Sequence, residues 1–448
     1  MSQKPDNIFF IIADSLRFDT LYSEPLPPYL KNNAVQYTNV RSSGPWTLPA
    51  TASLFTGLLP HEHGATAQTR SIHKNIPTLA EELKKAGYQT TQITANIATT
   101  SVFGLHRGFD QIIPIWNMVE PVFKTITRFL LLLGKPRVRK ILLSRDDIVH
   151  QLSEDLKMGN CWFQNTYNDI FEQCQNIMAK NNKKNFFFIN LMETHFPYHI
   201  DDRFRLETKG IIKNIRELAT LFHTVNQTFL KKENGLPRPE YLQLLKRRQN
   251  KSWKIIKNPV NDFIEKLHKS KNNLVIFASD HGDNFGDQNW LYHFSNVNEG
   301  GNRTPLFWFD NNHPKPKISD HPVSARFIYN SILKSAGIKT TGPVISDQDP
   351  VAYPLIESYW YNNMGKTLPQ YLYNQFCFHD ENTRFVLRNN QWLSAAVQKD
   401  ILKPEETYRP MDSNVNPINE VKNKKWKSYL TEKVKTFKVF SESVKPKG

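Results

Sequence analysis

Asn273-Leu274-Val275-Ile276-Phe277-Ala278-Ser279-Asp280-His281-Gly282 decides how this chain is read. An apolar, β-branched-rich run breaks abruptly into an aspartate and a histidine. Such a run, bounded by polar residues, reads as a buried strand of a parallel sheet. The chain opens on the same pattern, Asn7-Ile8-Phe9-Phe10-Ile11-Ile12-Ala13-Asp14. In open α/β sheets ligands collect outside the carboxyl ends of the strands. Asp14, Asp280 and His281 are therefore expected to converge on one metal ion, although they lie far apart in sequence.

Between the two strands stands Gly44-Pro45-Trp46-Thr47-Leu48-Pro49-Ala50-Thr51-Ala52-Ser53-Leu54-Phe55-Thr56-Gly57. A Gly-Pro turn leads into a hydroxyl residue, then into a helix-compatible stretch, Ala50 to Phe55, stopped by Gly57. A hydroxyl at a helix N-terminus sits where unpaired N–H groups and the dipole favour an anion. That suits a nucleophile attacking a phosphate or sulfate ester; the ordinary alternative is an N-cap.

Taken in order, these segments resemble the sulfatase branch of the alkaline phosphatase superfamily along most of the chain. Asn7 to Leu21 is similar to the first strand with its metal-binding Asp, and Trp46 to Gly64 to the nucleophile segment. Pro77 to Thr90 resembles the helix and turn that follow, and Arg107-Gly108-Phe109-Asp110 also fits. Phe186 to Tyr198, Ser279 to Asp283 and Arg303-Thr304-Pro305-Leu306 have counterparts; Glu406 to Arg409 with Asn416 to Glu420 is a looser match. The resemblance implies an α/β fold with a large central, mostly parallel sheet sandwiched by helices. A smaller carboxy-terminal antiparallel sheet with a terminal helix would follow.

The departures from the family pattern carry the chemistry. Sulfatases of this kind place Cys or Ser first in a Cys-x-Pro-x-Arg motif and oxidise it to a formylglycine aldehyde. Here that position is Thr47, and the Arg position is Thr51. Oxidation of a threonine β-carbon gives a ketone, so the resemblance points instead to phosphoryl-transferring relatives that use a metal-bound Thr alkoxide. Ser15 replaces a further Asp ligand, which leaves Asp14, Thr47, Asp280 and His281 as the ligand set for one divalent ion. Mn, Zn, Ca and Mg all suit oxygen-rich ligands with one His, to differing degrees. Such an ion lowers the pKa of a bound hydroxyl. His195 and His293 are the expected proton donors to the leaving group and, with Asn96, the expected contacts to substrate. His293 stands where sulfatase relatives usually carry a Lys. Asp283 and Asp287 are assigned loop and N-cap roles; His61, His63 and Arg303 are read as structural.

The expected activity is metal-dependent hydrolysis or transfer at a phosphate mono- or diester, on a glycan or lipid, through Thr47. A sulfate ester hydrolase is the alternative, and a catalytically inactive sulfatase-like binding protein a further one. The expected partner is an anionic ester.

Composition bounds the rest. With 448 residues and 39% hydrophobic content, the chain holds one large α/β domain with a smaller appendage, or two domains. Three cysteines, Cys161, Cys174 and Cys377, unevenly spaced and odd in number, argue against a disulfide framework and fit a reducing compartment. Strand one begins within a few residues of Met1, so no signal peptide is expected and the cytoplasm is the expected location, with the inner membrane face as a peripheral option. A net charge of +16 is spread along the chain without a nucleic-acid recognition motif. It fits attraction of an anionic substrate or contact with a membrane or acidic glycan.

The expected organisation is a catalytic domain over residues 1–345, with a variable lid or substrate region at 116–270. A smaller α+β subdomain over 346–421 and a basic amphipathic tail over 422–448 complete it. Val122 to Gly134 is too short to cross a bilayer; it reads as a lid or core helix or as an interfacial segment. Residues 200–270 read as mostly helical with a break at Pro259, and residues 315–338 as a helix ending at Gly337. A hairpin is expected around Asn389-Asn390.

Overall fold

The computed structural model describes residues 4–118, 165–198 and 238–346, apart from a few positions within those spans. It also describes residues 217, 220 and 221, and strands between 355 and 408. The apolar run at 122–134, the segment 391–397 and the tail at 422–448 lie outside the described residues.

The strands follow in chain order. They are β1 (Asn7–Ala13), β2 (Val35–Arg41), β3 (Gln89–Thr94), β4 (Gln111–Pro114), β5 (Asn185–Leu191) and β6 (Asn273–Ala278). After the short pair β7 (Asn284–Phe285) and β8 (Leu291–Tyr292) come β9 (Arg303–Asp310), β10 (Lys317–Ser319) and β11 (Val323–Ser324). A nine-stranded sheet has the order β10-β2-β9-β6-β1-β5-β3-β4, with β11 also on β2. All its pairings are parallel except those of β9 with β2 and β6. This is the α/β sandwich that the sequence pattern implies.

Both faces of the sheet are covered, so its strands are apolar on both sides. Phe9 and Ile11 of β1 face the helices Tyr167–Lys180 and Pro239–Ser270. Ile8, Phe10 and Ile12 face the helices Thr47–Thr56, Leu79–Lys85 and Phe327–Ser335. Asn7, Asn185 and Asn273 lie opposite one another at the starts of β1, β5 and β6. They are bonded amide to amide, Asn7 to Asn273 and Asn185 to Asn7, each at 2.9 Å. A buried amide ladder of this kind pins the register, since a one-residue slip reverses every side chain. At the other end the same register sets Ala13 against Leu191, and Ile12 against Ala278. The Asp that ends β1 and the Asp-His that follows β6 are thus delivered to one edge.

Two sequence expectations need correction. The helix Pro239–Ser270 runs 32 residues straight through Pro259. An internal proline forfeits one hydrogen bond and crowds the preceding turn, at about 3 kcal/mol. Trp253 and Ile256 before it, and Val260, Phe263 and Ile264 after it, are all buried against the sheet and hold the helix together. Residues 315–338 form a helix only at Phe327–Ser335, because Lys317–Ser319 and Val323–Ser324 add to the edge of β2 as short strands. A second sheet joins β12 (Leu355–Ser358), β13 (Asn374–His379), β14 (Arg384–Asn389) and β15 (Lys403–Tyr408), all antiparallel. β14 pairs with β13 and β15, while the second arm of the hairpin expected around Asn389-Asn390, residues 391–397, lies outside the described residues. Among the described residues no helix is long and apolar enough to cross a membrane.

His63 braces the helix Thr47–Thr56. Its Nε2–H donates to Ser53 Oγ at 3.0 Å, and its Nδ1 accepts from the Ala65 amide at 3.0 Å. Burial pushes this imidazole down to about 3 from the ordinary 6.5. A depressed folded-state value means the unfolded chain binds the extra proton, so stability present above pH 6.5 is lost as pH falls toward 3. The slope from this group is at most about 1.4 kcal/mol per pH unit. Urea unfolding of the wild type against His63→Gln, from pH 6.5 down to 4, is expected to show the extra slope in the wild type alone.

Candidate metal and nucleophile site

Asp14, Asp280 and His281 meet at the carboxyl edge of β1 and β6. One ligand atom from each lies within 4.8 Å of the others, and all three residues are buried. Thr47 begins its helix, with Trp46 as the N-cap, and places Oγ1 3.3 Å from His281 Nε2. The helix ends at Gly57 in the left-handed region, φ 72°. His281 Nε2 also lies 3.6 Å from Asp14 Oδ1 and 3.4 Å from Asp280 Oδ2. Tetrahedral bonds of about 2.1 Å to N and O ligands put neighbouring ligand atoms about 3.4 Å apart. The spacing therefore suits one small divalent ion.

The remaining hydrogen bonds aim each ligand. Asp14 Oδ2 accepts from Asn96 at 2.7 Å and from Asn190 at 3.1 Å, which turns Oδ1 toward His281. Asp280 Oδ1 accepts from the amides of Ser15 at 3.2 Å and His281 at 2.9 Å. Its Oδ2 is buried with no hydrogen-bond partner. A buried carboxylate oxygen without a donor costs several kcal/mol unless a cation meets it. His281 Nδ1 donates to the Gly282 carbonyl at 2.9 Å, which fixes the tautomer that presents the Nε2 lone pair. Gly282 has no alternative here: a Cβ would stand 2.1 Å from the Gly300 carbonyl oxygen.

The electrostatics point the same way. Burial pushes Asp14 up, but His195, His281 and the two asparagine amides outweigh it and hold the group below its ordinary value. Burial and the neighbouring Asp14 carboxylate push Asp280 well above the usual range. Burial lowers His281 despite Asp14. Two carboxylates this close in a dry site cannot both ionise without a counter-cation.

His195 and His293 stand beside this cluster. The ring of His293 is centred 4.5 Å from that of His281 and 5.1 Å from that of His195. His195 Nδ1 donates to the Phe196 carbonyl at 2.8 Å. His293 Nδ1 donates to Asp283 Oδ1 at 2.5 Å, and Tyr198 O–H donates to Asp283 Oδ2 at 2.7 Å. Asp283, read from sequence as a loop residue, is therefore the buried partner of a site histidine. Burial opposes its ionisation, but His293 overrides this and holds it below the carboxylate range. Asp287 keeps its loop role, accepting from the Phe285 amide and pairing with Arg17.

Asn96, expected to touch substrate, directs its amide to Asp14 Oδ2 and, at 3.4 Å, to Thr47 Oγ1. Its side-chain oxygen accepts from the Ala98 amide. Asn190 escaped the sequence reading; its signal was a polar residue inside the Phe-Phe-Phe-Ile-Asn-Leu strand. Ser15, Tyr198 and Tyr292 hold left-handed backbone angles of 60°, 57° and 58° without being glycine. Each adjoins or supports a site residue, where such strain characteristically concentrates.

The family model described as Sulfatase matches residues 6–338. The chain belongs to the sulfatase family. Members of the family bind a divalent metal ion, and Asp14, Asp280 and His281 form the candidate site in this chain. Among curated proteins no sequence match is found. This sulfatase-family chain is similar to the phosphonate monoester hydrolase of Agrobacterium radiobacter, at 15% identity and TM-score 0.62 over 98% of this chain and 96% of that one. It is similar to the phosphonate monoester hydrolase of Silicibacter pomeroyi, at 15% identity and TM-score 0.63 over 97% and 94%. A protein solved with its substrate D-glucosamine-2-N,6-O-disulfate aligns at 13% identity and TM-score 0.62, over 98% and 99%. At these identities the likeness is one of fold.

Removal of ligands should separate the roles. Asp280→Ala is expected to abolish divalent-ion binding, and Asn190→Leu to weaken it about 10- to 100-fold, as for other partners that orient a ligand. Titration calorimetry with Mn²⁺ and with Zn²⁺ reads both.

Proposed function

We propose that this protein hydrolyses or transfers phosphorus esters with Thr47 as the nucleophile. The observation that carries the reading is Thr47 Oγ1 at a helix N-terminus, 3.3 Å from His281 Nε2 within the ligand cluster. Asp14, Asp280, His281 and Thr47 would hold one divalent ion, of Mn, Zn, Ca or Mg. When bound, it lowers the pKa of a coordinated hydroxyl and neutralises charge on the ester oxygens.

The chain's own residues supply the remaining steps. Asn96, bonded to both Asp14 and Thr47, orients the hydroxyl. Thr47, its hydroxyl acidified when the ion is bound, gives its proton to solvent and stays an alkoxide between turnovers; its Oγ attacks phosphorus, the bond to the leaving alcohol breaks, and His195 or His293 protonates the departing oxygen. The product is phosphothreonine. Water or a second alcohol then attacks phosphorus, a histidine takes its proton, and Thr47 Oγ leaves. Asp283 keeps a proton on His293 Nδ1, so the transferred proton is the one on Nε2. The alcohol or glycan part of the ester is assigned to the variable region at 116–270.

A sulfate ester hydrolase is the second reading, favoured by the family and by a neighbour solved with a disulfated glucosamine. Thr47 argues against it, since threonine does not yield the aldehyde used by conventional sulfatases. An inactive binding protein is the third reading, which the intact ligand cluster argues against.

A chromogenic panel separates these readings: phosphate monoester, phosphodiester, phosphonate monoester and sulfate ester, each with Mn²⁺ or Zn²⁺. Turnover of a phosphorus ester is expected, lost by at least about 10³-fold in Thr47→Ala and Asp280→Ala. Phosphate on Thr47, seen by intact mass after an acid quench, is the accompanying signature. Turnover of sulfate alone would sink the phosphoryl reading. Silence across the panel with one metal ion bound would favour an untested acceptor or the inactive fold.

A further inference from the structure

The helix Pro239–Ser270 braces the loops after β1 and β5 from behind. Arg248 donates to the carbonyls of Pro197 and Tyr198, both at 3.1 Å, beyond His195. Ser252 Oγ donates to the Glu193 carbonyl, before His195. Trp253 Nε1 donates to the Leu21 carbonyl at 3.0 Å. Gln249 lies at the centre of this face and is fully buried.

Gln249 joins two catalytic segments through one amide. Its Nε2 donates to the Ser15 carbonyl at 2.8 Å and to the Thr194 carbonyl at 3.0 Å. Its Oε1 accepts from Thr20 Oγ1 at 2.7 Å, which sets the amide the right way round. Both carbonyls belong to residues that touch the metal ligands. Ser15 follows Asp14; its amide donates to Asp280 Oδ1 and its Oγ to Asp14 Oδ1. Thr194 precedes His195, and its Oγ1 donates to the Asp14 carbonyl at 2.7 Å. The ring of bonds therefore runs from Gln249 to Ser15, through Asp14 to Thr194, and back to Gln249. Ser15 sits in the left-handed region at φ 60°. An L-residue other than glycine stays there only when its surroundings over-determine it.

We infer that Gln249 is a positioning residue: its side-chain amide holds the loop after Asp14 and the loop before His195 at the spacing that the metal ligands require. The inference rests on the metal centre proposed above. Gln249 touches neither substrate nor ligand; it acts through the Ser15 and Thr194 carbonyls. Partners that orient a metal ligand change metal affinity about 10- to 100-fold when removed.

The test compares the full-length chain with Gln249→Met, which keeps the shape and loses the amide. Thr20→Val combined with Gln249→Met also removes the orphaned hydroxyl, so it folds more readily while the clamp stays broken. Asn261→Leu is the control: Asn261 lies further along the same helix and accepts from the Tyr29 and Leu30 amides, away from the site. The readouts are Mn²⁺ affinity by calorimetry and the thermal midpoint. Both Gln249 variants are expected to bind Mn²⁺ at least about tenfold more weakly, while Asn261→Leu keeps wild-type affinity despite a lowered midpoint. Affinity within twofold of wild type in the Gln249 variants would overturn the inference and leave Gln249 as packing. Equal weakening in Asn261→Leu would overturn it as well, since general loosening would then explain the effect. A wild-type chain that binds neither Mn²⁺ nor Zn²⁺ would instead bring down the metal centre itself.

Discussion

Two aspartates buried side by side are the constraint around which this molecule is built. Asp14 and Asp280 follow two strands far apart in sequence, β1 and β6, and are both buried away from water. Left alone, one would hold its proton, as the opposed shifts of the pair express. The surrounding bonds do not relieve that repulsion symmetrically. They give Asp14 Oδ2 and Asp280 Oδ1 two N–H donors each, supply Asp14 Oδ1 with the Ser15 hydroxyl alone, and leave Asp280 Oδ2 facing His281 Nε2 with no hydrogen-bond partner. A site arranged purely for stability would satisfy both oxygens or replace the pair with apolar groups. One arranged for a cation does what is seen here.

That arrangement needs a scaffold with little freedom. The asparagine ladder at the start of β1, β5 and β6 sets their register, and the parallel sheet carries that register to the catalytic edge. Asn190 reaches Asp14 because it occupies β5, directly beside β1. The helix bearing Thr47 packs on one face of the sheet, and the helix bearing Gln249 on the other. Thr47 and Gln249 thus stand on opposite sides of the Asp14, Asp280 and His281 cluster.

The parts of this design written in adjacent residues were legible in the sequence. An apolar run ending in Asp, or in Asp-His, announces a strand and its ligands together. A hydroxyl after a Gly-Pro turn announces a helix start. What escaped was written across distance. Asp283 and His293 are ten residues apart and meet only because β7 and β8 fold back as a hairpin. Gln249 lies in a polar, basic stretch whose periodicity predicts a helix but not which amide turns inward. Pro259 reads as a break because the local rule for proline is sound; buried contacts on both flanks outweigh it. The expectation of a helix from 315 failed in the opposite direction, since an edge of β2 offered unpaired backbone groups that Lys317–Ser319 and Val323–Ser324 could fill.

The helix that grips the loops after β1 and β5 ends the region read from sequence as variable, 116–270. Its exposed side is rich in Lys and Arg, while its buried side carries Arg248, Gln249, Ser252 and Trp253. That buried side is tied, through main-chain carbonyls, to the loops after β1 and β5. Carbonyl oxygens are indifferent to the side chains around them, so such a clamp tolerates change in the loops' own sequence. It does not tolerate a shift of the helix. A rotation about its axis would carry the Gln249 amide away from Ser15 and Thr194 and break both bonds at once. On the positioning role inferred for Gln249, the placement of this helix matters to the candidate metal site as the candidate ligands do, although none of its residues belongs to that set.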